Sequence, residues 1–335
     1  MALKYVSNSE LSSFGACRFQ WYWTYVRRLK PKIAAPPLRF GTLIHKGLQE
    51  YYKPGRVRGP NPVLTFEREY ERELKEQVRM GFKDEDGTWH DAAELGADML
   101  KSYLGHWGDD DEYEVIATEQ KFETPIKDES GKLMGVYVGV LDMIWRHLPT
   151  GVLEVVDHKA VKTIDTKFLR LDTQSGNYWT FGSPWLISKG LISSANELGT
   201  ICFNFLRKAL KDKRKYKINK RGEKVYLNAD GTPSKKQPAE FFVRQPDPRS
   251  NRQREVREQM VRAQLHELKL ARDGELEIYK TPSKFVCMFC PVRDICEIHE
   301  HGGDFEELAR MTMVAKGEWT PVEYKDEAYE AELEH

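Results

Sequence analysis

Three consecutive segments of alternating polar and apolar residues constrain the fold of this chain more than any other feature. They cover residues 114–126, 132–147 and 151–163, and the polar stretch DESGK separates the first two. Because side chains alternate between the faces of a β-strand, this pattern predicts three strands with a hairpin turn at DESGK. Residues 199–210 are largely apolar and predict a fourth strand.

Helical patterns surround these strands. We predict a short hairpin at 221–243, with NADG as its turn, and helices at about 7–30, 41–52, 64–82, 91–107, 167–188 and 250–273. The order along the chain is therefore helices, three strands, a helix, a strand and a helix. This order predicts an α/β domain with a mixed central sheet flanked by helices.

Charge is distributed unevenly along the 335 residues, although the 52 Lys and Arg residues balance the 52 acidic residues. Residues 207–224 carry ten cations against two acids, and residues 304–335 carry ten acids against three cations. A solvated surface loop and a solvated tail are the simplest explanation of such runs. We expect one domain over residues 1–303 and an acidic tail over 304–335. The domain divides into an N-terminal helix (1–30), a core (31–206), a basic insertion (207–247) and a C-terminal helix with a cysteine segment (248–303).

Apolar runs in the chain are too short for a membrane span of roughly 18 residues, and the N-terminus lacks the apolar core of a secretion signal. These features predict a cytoplasmic protein with no membrane partner. In that compartment the three cysteines of KFVCMFCPVRDIC favour metal or cluster ligation over disulfides.

The segment VVDHK carries the first candidates for chemistry. On a strand, Asp157 and Lys159 point to one face and His158 to the other. Asp142 lies in the preceding strand, so two carboxylates and a lysine form a possible site for Mg²⁺ or Mn²⁺. The alternative is an ordinary salt bridge between Asp157 and Lys159 at the end of a strand.

Four more residues extend this candidate site. His45 in GTLIHKG can supply a nitrogen ligand, and Glu119 lies in the strand before that of Asp142. Gln174 and Tyr178 in QSGNY are four residues apart and share a helix face. Each has an ordinary alternative, such as a surface histidine or a polar helix stripe.

The five motifs GTLIHKG, ATEQ, GVLDMI, VVDHKAVKT and QSGNY occur in an order that resembles the RecB-like branch of the PD-(D/E)XK nucleases. The resemblance extends from about residue 9 to residue 300, and it implies a restriction-endonuclease-like core. It further implies site roles: metal ligands at His45, Asp142, Asp157 and the backbone carbonyl of His158; catalytic roles for Lys159, Asp142, Asp157 and Glu119; DNA contacts from Gln174 and Tyr178. His158 departs from the family pattern, in which an aromatic or aliphatic residue is more usual.

The cysteines fit the same resemblance. AddB-type helicase–nucleases and CRISPR adaptation nucleases hold a 4Fe–4S cluster with one early cysteine and three late ones spaced C-x2-C-x5-C. Their counterparts here are Cys17, Cys287, Cys290 and Cys296, so the cluster would staple the N-terminal helix to the C-terminal segment. A zinc site formed by the three late cysteines and His299 is the alternative. Cys202 is left over and is expected to be a buried apolar residue.

The resemblance implies a Mg²⁺- or Mn²⁺-dependent deoxyribonuclease, an exonuclease acting in DNA recombination, repair or phage DNA processing. A structure-specific or single-strand endonuclease is one alternative, and a non-catalytic DNA-binding subunit is another. The chain has no phosphate-binding G-x-x-x-x-G-K-[ST] loop, so any unwinding would require a helicase or recombination partner. We expect the basic insertion to hold the DNA backbone through Lys213, Arg214, Lys215 and Lys217.

Overall fold

A computed structural model of the chain describes residues 3–32, 36–79, 81, 83–84, 87–210 and 214–316. Six of its strands form one mixed sheet, which is the predicted central sheet. The strands are β1 (Leu3–Ser7), β2 (Leu29–Pro31), β3 (Tyr113–Lys127), β4 (Leu133–His147), β5 (Leu153–Val161), β6 (Leu198–Arg207), β7 (Tyr216–Ile218), β8 (Lys224–Tyr226), β9 (Phe242–Asp247) and β10 (Met313–Ala315).

Helices cover both faces of this sheet, as predicted. They are α1 (Asn8–Ala16), α2 (Arg18–Trp21), α3 (Pro36–Tyr51), α4 (Pro62–Arg79), α5 (Thr88–Trp107), α6 (Thr173–Asn177), α7 (Ser183–Ser188), α8 (Asn251–Arg272), α9 (Lys284–Met288), α10 (Arg293–Glu300) and α11 (Phe305–Thr312). The described part of the chain contains no helix that combines the length and the apolar character of a membrane span.

The sheet has the order β1-β4-β5-β6-β9, and β3 pairs with the other edge of β4. β3 and β4 form the predicted hairpin, in which Gln120 pairs with Leu141 and Phe122 with Gly139. β5 and β6 run parallel, since the crossover through α6 and α7 returns the chain to the same end of the sheet. Neither β1 nor β9 is among the predicted strands, because each pairs with a partner far away in sequence.

Two apolar cores separate the helices from the sheet. On one face, α3, α4 and α5 pack against side chains such as Met143, Trp145 and Val156. On the other face, α1, the π turn and α7 that follow α6, and α8 pack against Tyr137, Leu141 and other sheet residues. Cys202 lies in the first of these cores and is buried, as predicted.

The predicted helix over 7–30 is interrupted at Cys17. This residue has an extended backbone (φ −161°, ψ 114°) between α1 and α2, and a π-helical turn, Tyr22–Val26, follows α2. The amide of Phe19 donates to the carbonyl of Tyr279 (3.2 Å) and that of Thr281 to Cys17 Sγ (3.5 Å). The amide of Phe19 is thereby directed to a residue far away in sequence, which periodicity alone cannot reveal.

The predicted hairpin over 221–243 is wrong in its register. The hairpin is formed by β7 and β8, both of which precede NADG. NADG turns the chain between Leu227 and Pro233, which form an isolated bridge. β9, within the stretch assigned to the basic insertion, is an edge strand of the central sheet. Residues 305–315, assigned to the acidic tail, form α11 and β10; residues 317–335 lie outside the described residues.

Candidate active site

The candidate site lies where one edge of β4 passes from one partner strand to another. β1 pairs with this edge from Gly135 to Val138, and β5 pairs with it from Met143 to Arg146. Asp142 lies at the point of change. Its Oδ2 accepts a hydrogen bond of 2.7 Å from the backbone amide of His158, two residues beyond Val156, where the pairing of β5 with β4 ends. The fork in the sheet therefore positions the carboxylate of Asp142.

Three side chains from different elements meet at this fork. His45 comes from α3, Glu119 from β3 and Asp142 from β4, and one ligand atom of each lies within 4.8 Å of the others. His45 Nδ1 is 3.4 Å from Asp142 Oδ2. One imidazole nitrogen and two carboxylates suit a divalent cation such as Mn²⁺ or Mg²⁺. The structure thus brings three of the predicted site residues together.

Glu119 reaches the site through an unusual backbone conformation. The pairs Thr118–Met143 and Gln120–Leu141 place it opposite Asp142, and its φ is +50°. Left-handed backbone is disfavoured for a residue with a side chain, and such strain is concentrated at functional sites. The alternating pattern of the sequence contains no signal for this distortion of the strand.

The electrostatics of the site fit a cation. Burial, together with repulsion from Asp142, raises the pKa of Glu119 to about 7. Burial and the same repulsion raise the pKa of Asp157, although Lys159 opposes them. A divalent ion among these groups would favour their ionised forms. The donor set and its crowded negative charge could therefore hold a metal ion.

Asp157 and Lys159 occupy one face of β5, as predicted, and they meet the helical pair there. Lys159 Nζ is 2.6 Å from Asp157 Oδ2 and donates to Gln174 Oε1 at 2.6 Å. Gln174 Nε2 donates to Tyr178 Oη at 2.8 Å and lies 3.3 Å from Asp157 Oδ1. Burial lowers the pKa of Lys159, but the charges of Asp157, Asp142 and Asp172 and the hydrogen bond to Asp157 together outweigh it, so the pKa is raised overall. The ammonium is therefore positively charged and fixed.

The metal roles of Asp157 and of the His158 carbonyl stay predictions. Among the described residues, the compact group contains Glu119 in place of Asp157, whose two oxygens face Lys159 and Gln174. His158 turns its side chain to the opposite face, as predicted. Its Nδ1 lies 2.8 Å from Asn204 Nδ2, and burial holds its pKa well below the usual range.

A buried polar network behind the site was not predicted from the sequence. Asn204 also donates to Tyr103 Oη (2.9 Å), which lies 2.8 Å from Tyr52 Oη. Tyr52 donates to Asp110, and Arg244 donates to both Asp110 oxygens at 2.7 Å. This network explains why residue 158 is polar, since the His158 imidazole lies against the side-chain amide of Asn204. Its members lie on five elements or loops, so no local sequence pattern links them.

Four of the five cysteines gather at the interface between the N-terminal and C-terminal segments. Cys17, Cys287, Cys290 and Cys296 are half-buried, and all but Cys287 pack against an apolar core that includes Phe19 and Ile295. Burial, with smaller contributions from the three nearby thiols, raises the pKa of Cys290 to about 11. His299 Nδ1 lies 2.9 Å from Lys280 Nζ, and its ring contacts Phe19.

The basic insertion exposes some of its predicted DNA contacts. Lys215 and Lys217 are exposed at the start of β7. Arg214 instead donates to Ser234 Oγ and to the carbonyl of Lys236, both at 3.1 Å, so it supports the fold of the insertion. Lys213 lies outside the described residues.

Comparison with known families supports the interpretation of this site. A profile of the PD-(D/E)XK nuclease superfamily matches residues 5–179, more than half of the chain. The matched region begins in β1 and ends just after Tyr178, so it contains the whole candidate site. No curated protein shows a significant match to the chain.

Proposed function

The chain belongs to the PD-(D/E)XK nuclease superfamily, and from this premise we propose that it is a Mg²⁺- or Mn²⁺-dependent deoxyribonuclease of the RecB-like branch. The observation that carries the proposal is the group of His45, Glu119 and Asp142 beside an ordered lysine. A chain that only bound DNA would have no need of buried carboxylates that repel each other. For the same reason we favour an enzyme over a non-catalytic subunit.

Each side chain has a chemical task in phosphodiester hydrolysis. His45, Glu119 and Asp142 would hold the cation, with Asp157 as a further candidate ligand. When bound, such an ion activates water and neutralises charge on the phosphate. Lys159 places a fixed positive charge where the pentavalent phosphate becomes more negative. Gln174 aligns the lysine, and it is itself aligned by Tyr178.

We further propose exonucleolytic cleavage of DNA in recombination, repair or phage DNA processing. Support comes from the motif order GTLIHKG, GVLDMI, VVDHKAVKT and QSGNY, which resembles the RecB-like branch. Endonucleolytic cleavage by the same site is the second candidate. The two are separated by substrates with and without free ends.

We also propose that Cys17, Cys287, Cys290 and Cys296 hold a 4Fe–4S cluster. Support comes from their meeting at one half-buried place, although Cys17 is about 270 residues from the others. A local zinc site would need His299, whose ring contacts Phe19 and whose Nδ1 adjoins Lys280. It would also leave the position of Cys17 unexplained.

The function is tested by cleavage of end-labelled linear, end-blocked linear and circular DNA, with Mg²⁺, Mn²⁺ or EDTA. We expect metal-dependent cleavage of substrates with free ends. Lys159→Ala should lower the rate by about 100- to 1000-fold, since one stabilising charge is removed from the reacting phosphate. Asp142→Ala should lower both the rate and the affinity for Mn²⁺. Lys101→Ala, a change of an exposed lysine on α5, is the control. Wild-type rates in the Lys159 and Asp142 variants would refute the assignment.

A further inference from the structure

The loop between β5 and α6, residues 162–171, begins and ends at the candidate site. Lys159 lies three residues before it and Gln174 three residues after it, and these two side chains are hydrogen-bonded at 2.6 Å. Both ends of the loop are therefore held close to Lys159 and Gln174 of the candidate site. Residues 162–171 themselves have no part in the candidate site described above.

Two large apolar side chains stand out from this loop. Phe168 is 70% exposed and Leu171 is 77% exposed. Lys162, Lys167 and Arg170 of the same loop are also exposed, against one acid, Asp165. We call residues 168–171 the tip of the loop. Exposure of its apolar side chains to water costs free energy. The surrounding cations give the tip an affinity for polyanions.

Hydrogen bonds within the loop and from Arg249 hold the backbone of the tip in place. The amide of Leu171 donates to the carbonyl of Phe168 and that of Asp172 to the carbonyl of Leu169, both at 2.9 Å. Arg249 Nη2 donates to the Leu169 carbonyl (2.9 Å), and the same guanidinium pairs with the buried Asp247 at 2.7 Å. A surface that is ordered before it binds loses little entropy on binding.

Chain geometry keeps the tip near the scissile phosphate. Leu171 is three residues from Gln174 and Phe168 is six, so their Cα atoms lie at most about 11 and 21 Å away. The rise per nucleotide in a DNA strand is about 3.4 Å. Phe168 and Leu171 are thus within a few nucleotides of the bond to be cut.

We propose that Phe168 and Leu171 contact unpaired nucleobases of the substrate strand next to the scissile phosphate. Aromatic rings stack on bases of any sequence, and leucine and phenylalanine are the kind of side chain that inserts between bases. Lys162, Lys167 and Arg170 meet the neighbouring phosphates. The site then takes a single strand or a frayed duplex end. The inference rests on the proposed nuclease function, since that function puts a DNA strand beside Lys159.

Binding is measured in buffer without added divalent metal, so that no strand is cut. Single-stranded oligonucleotides carry 2-aminopurine at one position at a time, and its fluorescence reports the stacking of that base. We expect the wild type to change the signal at one or two adjacent positions. Phe168→Ala and Leu171→Ala should each abolish that change and lower affinity by about 5- to 150-fold, the range for one base–side-chain stack.

Matched controls come from exposed side chains elsewhere. Phe285→Ala in α9 (82% exposed) matches Phe168→Ala, and Leu64→Ala in α4 (63% exposed) matches Leu171→Ala. Both should bind like the wild type. Circular dichroism checks that all four variants are folded, which we expect because each removed side chain faces water.

Two outcomes overturn the proposal. One is equal binding and equal fluorescence by the loop variants and their controls; the loop would then serve another partner, such as a protein. The other is a wild type that produces no position-specific signal. The proposed function is tested separately with bis(p-nitrophenyl) phosphate, which has no bases. Its metal-dependent hydrolysis by the wild type and not by Lys159→Ala would uphold the function even if the loop proposal failed.

Discussion

Gly139 precedes the site aspartate by three residues and has no room for a side chain. It pairs directly with Phe122 across the β3–β4 hairpin, and the phenylalanine ring covers it. A Cβ at this position would lie 2.6 Å from Phe122 Cε1 and 3.2 Å from Tyr178 Cε1. The glycine therefore lets a buried ring and the site tyrosine pack together.

We predict that Gly139→Ala lowers the free energy of unfolding by about 1–3 kcal/mol, the usual cost of overpacking a core. It should also slow cleavage, because the displaced Tyr178 would no longer orient Gln174. Urea denaturation and cleavage rates are the measurements. Gly105→Ala is the control, since an exposed helical glycine with open space should gain about 0.5–1 kcal/mol. Unchanged stability in the Gly139 variant would contradict the packing argument.

At the scale of elements, both π-helical turns lie next to predicted functional residues. Tyr22–Val26 follows the helix that begins after Cys17, and Tyr178–Gly182 continues the helix that carries Gln174. A π turn shifts the following side chains around the helix axis and is frequent at functional sites. Here the second turn begins at Tyr178, so it helps to direct that side chain.

Lys215 and Lys217 of the basic insertion are exposed at the hairpin formed by β7 and β8. We predict that Lys215→Gln with Lys217→Gln weakens DNA binding equally for all sequences. The plot of log affinity against log salt concentration should become shallower by about 0.7–0.9 for each phosphate that the variant no longer neutralises, because fewer counterions are released. Fluorescence anisotropy over a range of salt concentrations measures the slope.

The double variant Lys75→Gln with Lys101→Gln, on α4 and α5, provides the matched change in net charge. Arg214 is left unchanged, because its bonds to Ser234 and Lys236 support the insertion. If the hairpin and control variants have the same slope, the basic insertion is only a solvated loop. That is the simplest explanation of its charge pattern.

Across the whole molecule, several contacts besides the cysteines join the two ends of the described chain. β2 pairs antiparallel with β10, and Arg27 Nη2 donates to Glu306 Oε2 at 2.8 Å. Trp23 and Met313 share a small apolar core at this junction. Loss of a cluster would therefore weaken the junction without separating its strands completely.

We predict a brown protein with broad absorption near 400 nm that bleaches on oxidation or chelation. Cys17→Ser should lose colour and iron, whereas Cys202→Ser should keep both, since Cys202 is buried in another core. Closing a loop of about 270 residues stabilises a fold by up to about 5 kcal/mol in the chain-entropy model, so the melting temperature of Cys17→Ser should fall. A colourless wild type whose zinc content is unaffected by Cys17→Ser would support the zinc alternative.

The sequence predicts those parts of the molecule that depend on local pattern. The β3–β4 hairpin, β5, β6 and the meeting of Asp157 with Lys159 follow from alternation and short spacing. The network through Tyr103 and Asn204 does not, because its residues are brought together by tertiary structure. The surroundings of Cys17 are also tertiary, since the Tyr279 carbonyl accepts from the Phe19 amide and Thr281 donates to the Cys17 sulfur.

The left-handed backbone at Glu119 bears on how this protein can change over evolutionary time. A glycine at this position would relieve the strained φ, and any neutral side chain would end the repulsion from Asp142. Replacement of Glu119 would therefore stabilise the fold, whereas loss of its carboxylate would impair the proposed metal site. Stability and activity conflict at this position. A lineage that no longer needed the proposed cleavage is expected to lose this carboxylate readily.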